Sequence, residues 1–405
     1  MSAGASPARR FQLPTPVAFV GVSIAFASFF LAAGAPTPLL PIYETEWGFA
    51  PSLLTLAFGV YAIALLAALL VFGSLSDHIG RRPVLVLALG LELGSMVVFL
   101  VAPSIEWVVA ARVLQGIATG IATSAFTAAI LELAPAHQKR RGAIMGSVSP
   151  AVGLGGGSLL AGAVAQFNGA AAFTIWLTLT MIMTLGTLFA IFIPETVSRR
   201  PGARASLIPR LAVPARVRRQ FTVAVPSQAA AWMLGALFMG LMPTILGSVF
   251  AHHSPFENGL TASLQPIAGG VAAVATGRVA PQRLLIFGGF GVILGAALVT
   301  SGIAAAILPL VWVGGVVGGL GFGSVLSGTL RILGSEVEAH ERAELFAAIY
   351  LVAYLAFGVP AIVAGALVPV VGLTAVAIAF GVVIVVGAGL GVAGQLRLAR
   401  LLSRP

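Results

Sequence analysis

GSLSDHIGRRP, residues 73–83, lies between two long apolar runs at 50–72 and 84–102. Only 8% of the 405 residues are Asp, Glu, Lys or Arg, yet three of these eleven are charged and a fourth is His78. Charge gathered in one tight loop of so uncharged a chain implies a role for the loop. It also raises the question of what surrounds the rest. Hydrophobic residues make up 59% of the chain. Soluble domains carry about 25% charged residues, and a surface as poor in charge as this one suits lipid rather than water.

A helix needs about 20 apolar residues to cross roughly 30 Å of hydrocarbon. Twelve such runs are expected, near 17–41, 50–72, 83–102, 106–132, 142–165, 172–193, 221–249, 259–277, 284–303, 309–333, 345–367 and 373–395. Pro103, Asn168-Gly169 and Pro309 punctuate the closely spaced ones. The positive-inside rule tests this layout. The N-terminus, 73–83, 133–142, 194–220, 278–283, 331–344 and the C-terminus together hold 21 of the 22 Lys and Arg residues. The intervening loops on the other side hold none, and the remaining cation, Arg112, falls inside span 4. Both termini are therefore expected on the cytoplasmic side. The net charge of +10 reads as a topology signal that can also touch anionic lipid, and nucleic acid is not expected as a partner. No cleavable leader is expected, since Arg9 and Arg10 precede a run long enough to span.

The chain has no cysteine, so disulfides and Cys-based metal centres are excluded. No metal site or cofactor is expected. His252 and His253 share an outer loop without clustered acids, and the GLGVAG run at 389–394 has neither a preceding strand nor a following ribose-binding acid. A Walker A loop is missing too, so ATP hydrolysis is not supported and the chain is not read as an enzyme. One Lys against 21 Arg, with abundant Gly, suggests a bacterial source.

Two halves repeat. AHQKRRGAIMGSVSPAVGLGGGSLLAG (136–162) aligns without gaps with AHERAELFAAIYLVAYLAFGVPAIVAG (339–365) at an offset of 203. Ala136/Ala339, His137/His340, Gly155/Gly358 and Gly162/Gly365 match, and the same offset pairs Gly116 with Gly319 and Gly120 with Gly323. The stretch 195–220 carries seven Arg, with Pro at 201, 209 and 214, and reads as a basic cytoplasmic linker. The expected organisation is a first bundle over 1–194, the linker, and a second bundle over 221–405. Repeats of this kind suggest a transporter with its site between them.

Extended by two residues, GSLSDHIGRRPVL resembles the loop 2–3 signature of the major facilitator superfamily. Gly73, Leu75, Asp77, Gly80, Arg81, Arg82 and Leu85 match, while His78 stands where Arg is usual. RVLQGIATG (112–120) resembles the superfamily's span 4 motif through Arg112, Gln115 and Gly116. GLGGGSLLAG (153–162) resembles the span 5 antiporter motif through Gly153, Gly157 and Gly162; Ser158 replaces its Pro, Ala161 replaces a Gly, and Pro150 lies upstream. The resemblance implies an all-α membrane protein of 12 transmembrane helices, two six-helix bundles related by a pseudo-two-fold axis. It also implies a cytoplasmic gate. Asp77 would face the N-terminus of span 11 near Ala343 to Leu345, and Arg81 would pair with an acid at the end of span 4, Glu132 being the candidate. Gly73 and Gly80 would allow the tight reversal. The loop at 277–283, GRVAPQR, lacks the acid.

Two ionisable residues lie deep: Glu92 in span 3 and Arg112 in span 4. Each costs roughly 2.5–3.5 kcal/mol at mid-membrane if unpaired. Spans 3 and 4 form a short hairpin, so the two are expected to meet directly or through water. Desolvation favours a neutral carboxyl and a nearby cation favours the charged one. A carboxyl held between them can exchange protons, which makes Glu92 the candidate proton carrier and Arg112 its modulator. A structural ion pair remains the alternative.

Arg112, Gln115, Thr119, Thr123 and Thr127 share one helical face. That stripe is expected to line a cavity, or else to bond its own backbone. Gln228 and Trp232 in span 7, Gln265 in span 8, and Tyr350 and Tyr354 in span 11 are further cavity candidates; a kink is expected at Pro243. The reading is a secondary transporter in a bacterial inner membrane, expected monomeric, exchanging protons for a small amphiphilic or sugar-like molecule. An uptake symporter and a non-transporting sensor are the alternatives.

Overall fold

The computed structural model describes residues 12–209, 211–338 and 341–402. Arg9, Arg10, Arg210 and Arg404 of the basic segments, and Ala339 and His340 of the repeat, lie outside the described residues. Among those described the chain is helical without strands. The helices in chain order are α1 (Thr15–Gly34), α2 (Pro36–Trp47), α3 (Pro51–Phe72), α4 (Ser76–Ile79), α5 (Arg81–Leu100), α6 (Ile105–Leu133), α7 (Lys139–Phe167) and α8 (Ala171–Ile191). Beyond the linker come α9 (Arg218–Ala236), α10 (Met242–Val249), α11 (Pro255–Ala275), α12 (Pro281–Ala304), α13 (Leu308–Ser335), α14 (Arg342–Val371) and α15 (Leu373–Leu402).

Proline sets many of these boundaries. It lies in the first turn of α2, α3, α11 and α12, where its missing N–H has no helical partner to lose. Inside a span the same loss must be repaired, because lipid offers no hydrogen bonds. Pro38 leaves the carbonyl of Gly34 without its usual donor four residues on. The Ser158 hydroxyl of α7 donates to that oxygen at 2.9 Å. The kink expected at Pro243 takes the form of a π-helical turn, Leu237–Leu241, between α9 and α10.

Eleven helical stretches among the described residues are long and apolar enough to cross a membrane. They follow the expected spans, with α1 and α2 forming one stretch, Thr15–Trp47. The expected eighth span exists as the 21-residue helix α11 but is not among the eleven. Its polarity is the reason: Asn258, Thr261, Ser263 and Gln265 are all buried in it, facing protein rather than lipid.

Two large apolar cores form. One draws only on residues between Ala18 and Ile193. The other draws on residues between Ala230 and Ala388, joined by Phe58 and Ala62 of α3. The two sets touch chiefly where α7 packs on α11 and α3 packs on α14. Glycine makes both approaches possible, since a side chain at Gly155 would strike Ile267 and the Ser263 backbone, and one at Gly358 would strike Ala62 and the Gly59 backbone.

Candidate functional site

At the loop that opened the sequence reading, α3 ends, α4 makes one turn, and α5 begins at Arg81. Gly80 has φ +104°, a conformation costly for other residues. Gly73 has a helical φ of −57°, and a Cβ there would strike the Leu69 carbonyl. Arg81 lies at the centre. Its Nη2 donates to Glu132 Oε1 at 2.9 Å, its Nη1 donates to Ser76 Oγ at 2.6 Å, and Nη1 lies 2.5 Å from Asp77 Oδ1. Asp77 therefore differs from expectation. Its ion-pair partner is Arg81 four residues on, and its side chain is 55% exposed. The reversal at Gly80, between α4 and α5, brings the two charges together.

Sequence reasoning passed over Glu195, assigning it to the linker. Its Oε1 accepts from the Arg81 backbone N–H at 2.7 Å and its Oε2 from that of Arg82 at 3.1 Å. It thus fills the N-terminus of α5, where free N–H groups favour an anion. Gly80 leaves the space, because a Cβ there would meet the Glu195 carboxylate. The next linker residue, Thr196, hydrogen bonds Glu132, and Arg200 N donates to His78 O at 2.9 Å. The start of the linker is stitched to the charged loop. The only signal for this in the sequence was an acid directly after Pro194 at the end of a span.

Midway along the helices a second polar network forms. Glu92 of α5 is fully buried, and Arg112 and Gln115 of α6 are buried beside it. Glu92 and Arg112 do not bond directly. Gln115 stands between them: its Nε2 donates to Glu92 Oε1 at 3.0 Å, and its Oε1 accepts from Arg112 Nη1 at 2.5 Å. An amide can serve both because it carries a donor and an acceptor. Arg112 also donates to the carbonyls of Ala57 at 3.2 Å and Ala33 at 3.3 Å, and its guanidinium lies 4.0 Å from the Tyr61 ring centroid. Glu92 Oε2 has no hydrogen-bond partner among the described residues.

The threonine stripe continues from this network but turns inward. Thr119 Oγ1 donates to Gln115 O at 2.8 Å, Thr123 to Thr119 O at 2.7 Å and Thr127 to Thr123 O at 2.7 Å. Each of these hydroxyls donates to its own helix.

Glycines of the α7 motif face two neighbours. Side chains at Gly153 and Gly157 would strike α1 at Ala27 and Leu31, and one at Gly162 would strike Pro255 and Gly259 of α11. Pro150 lies inside α7. Near the Gly162 end, Ser254 Oγ donates to Gln166 Oε1 at 2.8 Å across the two halves of the chain.

The remaining candidates converge on one aromatic cluster. Trp232 of α9 packs edge-on against Tyr354 and Phe357 of α14, with centroids 5.0 and 5.6 Å away, and against Phe322 of α13 at 5.4 Å. Tyr350 stacks on Tyr354 at 6.1 Å, and Phe58 of α3 reaches Phe357 at 4.7 Å. Tyr61, Tyr350 and Tyr354, three of the four tyrosines in the chain, join one cluster with Leu65 and Ala33. The aromatic groups thus adjoin the Arg112 network through Tyr61. Gln265 lies near Gly235 and Phe357. Gln228 sits one turn before Trp232, and Thr329 Oγ1 donates to its Oε1 at 3.4 Å. Beside Gln228 is a cavity of about 10 Å³, lined also by Phe221, Thr329 and Ile349, which is about the size of one water.

The chain shares 28% identity with the Quinolone resistance protein NorA of Staphylococcus aureus over 112 residues. That match spans 28% of this chain and only 29% of NorA. In fold it is similar to a crystal structure of nucleoside transporter NupG, with a TM-score of 0.68 and 15% identity, covering 93% of this chain and 99% of that one. It is also similar to the human organic anion transporter MFSD10 (TETRAN), with a TM-score of 0.61 and 18% identity, covering 94% and 100%. The family model of the Major Facilitator Superfamily matches residues 22–307. Over half of the chain follows that family, so the chain belongs to the Major Facilitator Superfamily.

Proposed function

We propose that this transporter expels a small amphiphilic or sugar-like molecule in exchange for protons, by alternating access between two six-helix bundles. The observation that carries the reading is the buried chain Glu92–Gln115–Arg112–Tyr61, which runs from a carboxyl in α5 to the aromatic cluster between the two halves. Glu92 is the proton carrier in this reading, and Gln115 passes its charge state to Arg112. Arg112 in turn holds the backbone of α1 at Ala33 and of α3 at Ala57. Loss of the Glu92 charge would loosen that hold, and both helices border the central cluster. Efflux as the direction draws support from the span 5 motif and from the short likeness to a quinolone resistance protein.

The bundles, over 1–194 and 221–405 with the 195–220 linker between, draw support from the two separate cores and from the glycine contacts. Gly155 and Gly358 are 203 residues apart, as are Gly162 and Gly365, and each faces the opposite half. Twelve crossings follow when α11 is counted as a span whose polar face is covered by protein. The Asp77–Arg81–Glu132 cluster, with Arg82, would latch the cytoplasmic side, and Glu195 would hold the latch to the linker. A bacterial inner membrane, cytoplasmic termini and a monomer complete the proposal, with protons and lipid as partners.

Everted vesicles carrying an imposed pH gradient test it. A substrate should dissipate the gradient in the wild type and not in Glu92→Gln. A response that survives in Glu92→Gln removes Glu92 from coupling and leaves it a structural role.

A further inference from the structure

The unpartnered side-chain nitrogens at the central cluster and just beside it are of one kind. Gln228 and Gln265 are 2% and 3% exposed. The Nε2 of each has no partner among the described residues, and neither has the Nε1 of Trp232. All three are N–H donors. Trp232 of α9 touches Phe322, Tyr354 and Phe357, Gln265 of α11 lies beside Phe357, and Gln228 lies one turn before Trp232, against Thr329 and the water-sized cavity. A buried donor left unmade is costly, and native proteins rarely keep several together without a use.

Charge is absent from the same surface. Residues 221–250, 258–277, 308–330 and 345–371 contain no Asp, Glu, Lys or Arg. The deep acid, Glu92, is fully buried on α5 and bonded to Gln115, so it offers no counter-ion to a guest in the cluster. A charge that adjoins the cluster is the cation of Arg112 on Tyr61. Aromatic faces alone would attract cations, but three inward N–H dipoles and a neighbouring guanidinium oppose one.

We propose that the site selects uncharged, planar aromatic molecules that carry at least two hydrogen-bond acceptors, and discriminates against lipophilic cations. With the bundles parted, the guest would lie against the rings of Trp232, Tyr354 and Phe357, and Gln228, Gln265 and Trp232 would donate to its carbonyl or ring-nitrogen acceptors. This rests on the transport reading above and names the class of substrate for it.

Three probes of one three-ring shape separate the possibilities: phenazine, with two ring-nitrogen acceptors; anthracene, with none; and N-methylacridinium, a cation. Equilibrium dialysis of the protein in lipid nanodiscs, against empty nanodiscs, measures binding apart from partition into lipid. Phenazine should be retained by the protein, and the other two should not exceed the empty discs. Gln265→Leu and Gln228→Leu should each weaken phenazine binding by about tenfold, the worth of one or two hydrogen bonds. Gln265→Leu should keep the wild-type melting temperature or exceed it, since it removes an unpaired donor, whereas Gln228→Leu also strands the Thr329 hydroxyl and should lower it modestly. Preferred binding of the cation, equal binding of anthracene, phenazine binding unchanged in the double variant, or retention of no probe overturns the proposal. The vesicle assay tells this failure from that of the transport reading. A cation that dissipates the gradient in wild type but not in Glu92→Gln leaves proton coupling standing and removes only the substrate class.

Discussion

Two groups of buried amides, one in each half of the chain, are bonded to different extents. In the first half, Arg112 and Gln115 are bonded on several sides: carboxylate, amide, two backbone carbonyls and an aromatic face. In the second half, Gln228, Trp232 and Gln265 keep donors open among aromatic rings. A bonded network fixes geometry and holds a charge state. An open set of donors waits for an acceptor from outside. In the proposed reading, coupling belongs to the first half and recognition to the second.

The largest expected effect comes from breaking the first network at its charge. Arg112→Ala should destabilise the protein by about 3–5 kcal/mol, because it strands Gln115 and two backbone carbonyls, and it should abolish gradient-coupled transport. Thermal unfolding in detergent measures the first and vesicle transport the second; a stable, active variant would empty the network of importance.

Swapping an amide for leucine should have opposite signs in the two halves. Gln115→Leu removes a satisfied bridge and should cost about 1–3 kcal/mol. Gln265→Leu removes an unsatisfied donor and should be neutral or stabilising by up to about 1 kcal/mol in ligand-free protein. Equal destabilisation in the same unfolding experiment would erase the distinction between the halves.

The smallest effect should be at Thr127. Its hydroxyl bonds its own helix at Thr123 O, so Thr127→Val should change stability by less than about 1 kcal/mol and leave transport near wild type. A transport loss without a stability change would return the threonine stripe to the substrate path.

Much of this was legible in the chain. Hydropathy runs and proline positions predict the helices to within a few residues; α3 spans Pro51–Phe72 where 50–72 was expected. The reason is that a lipid environment makes helix the only economical state for an apolar run. The polar helix α11 shows where that logic stops, since its amides face protein and hydropathy does not see what covers them. The Arg81–Glu132 pair follows from a motif. The clip formed by Glu195 does not, because nothing local says that a linker acid will fold back onto a helix 114 residues earlier.

By itself the sequence determined which segments are helical, where charge is excluded, and that Glu92 and Arg112 lie at comparable depth. Tertiary packing alone decided that Gln115 stands between them, that the threonines bond their own backbone, and that three tyrosines from two distant helices meet around one tryptophan. The physical reason is directional. Burial follows from composition and can be read along a chain, but a hydrogen bond depends on angle and on which helix face a neighbour presents, and those are settled only when the helices are packed.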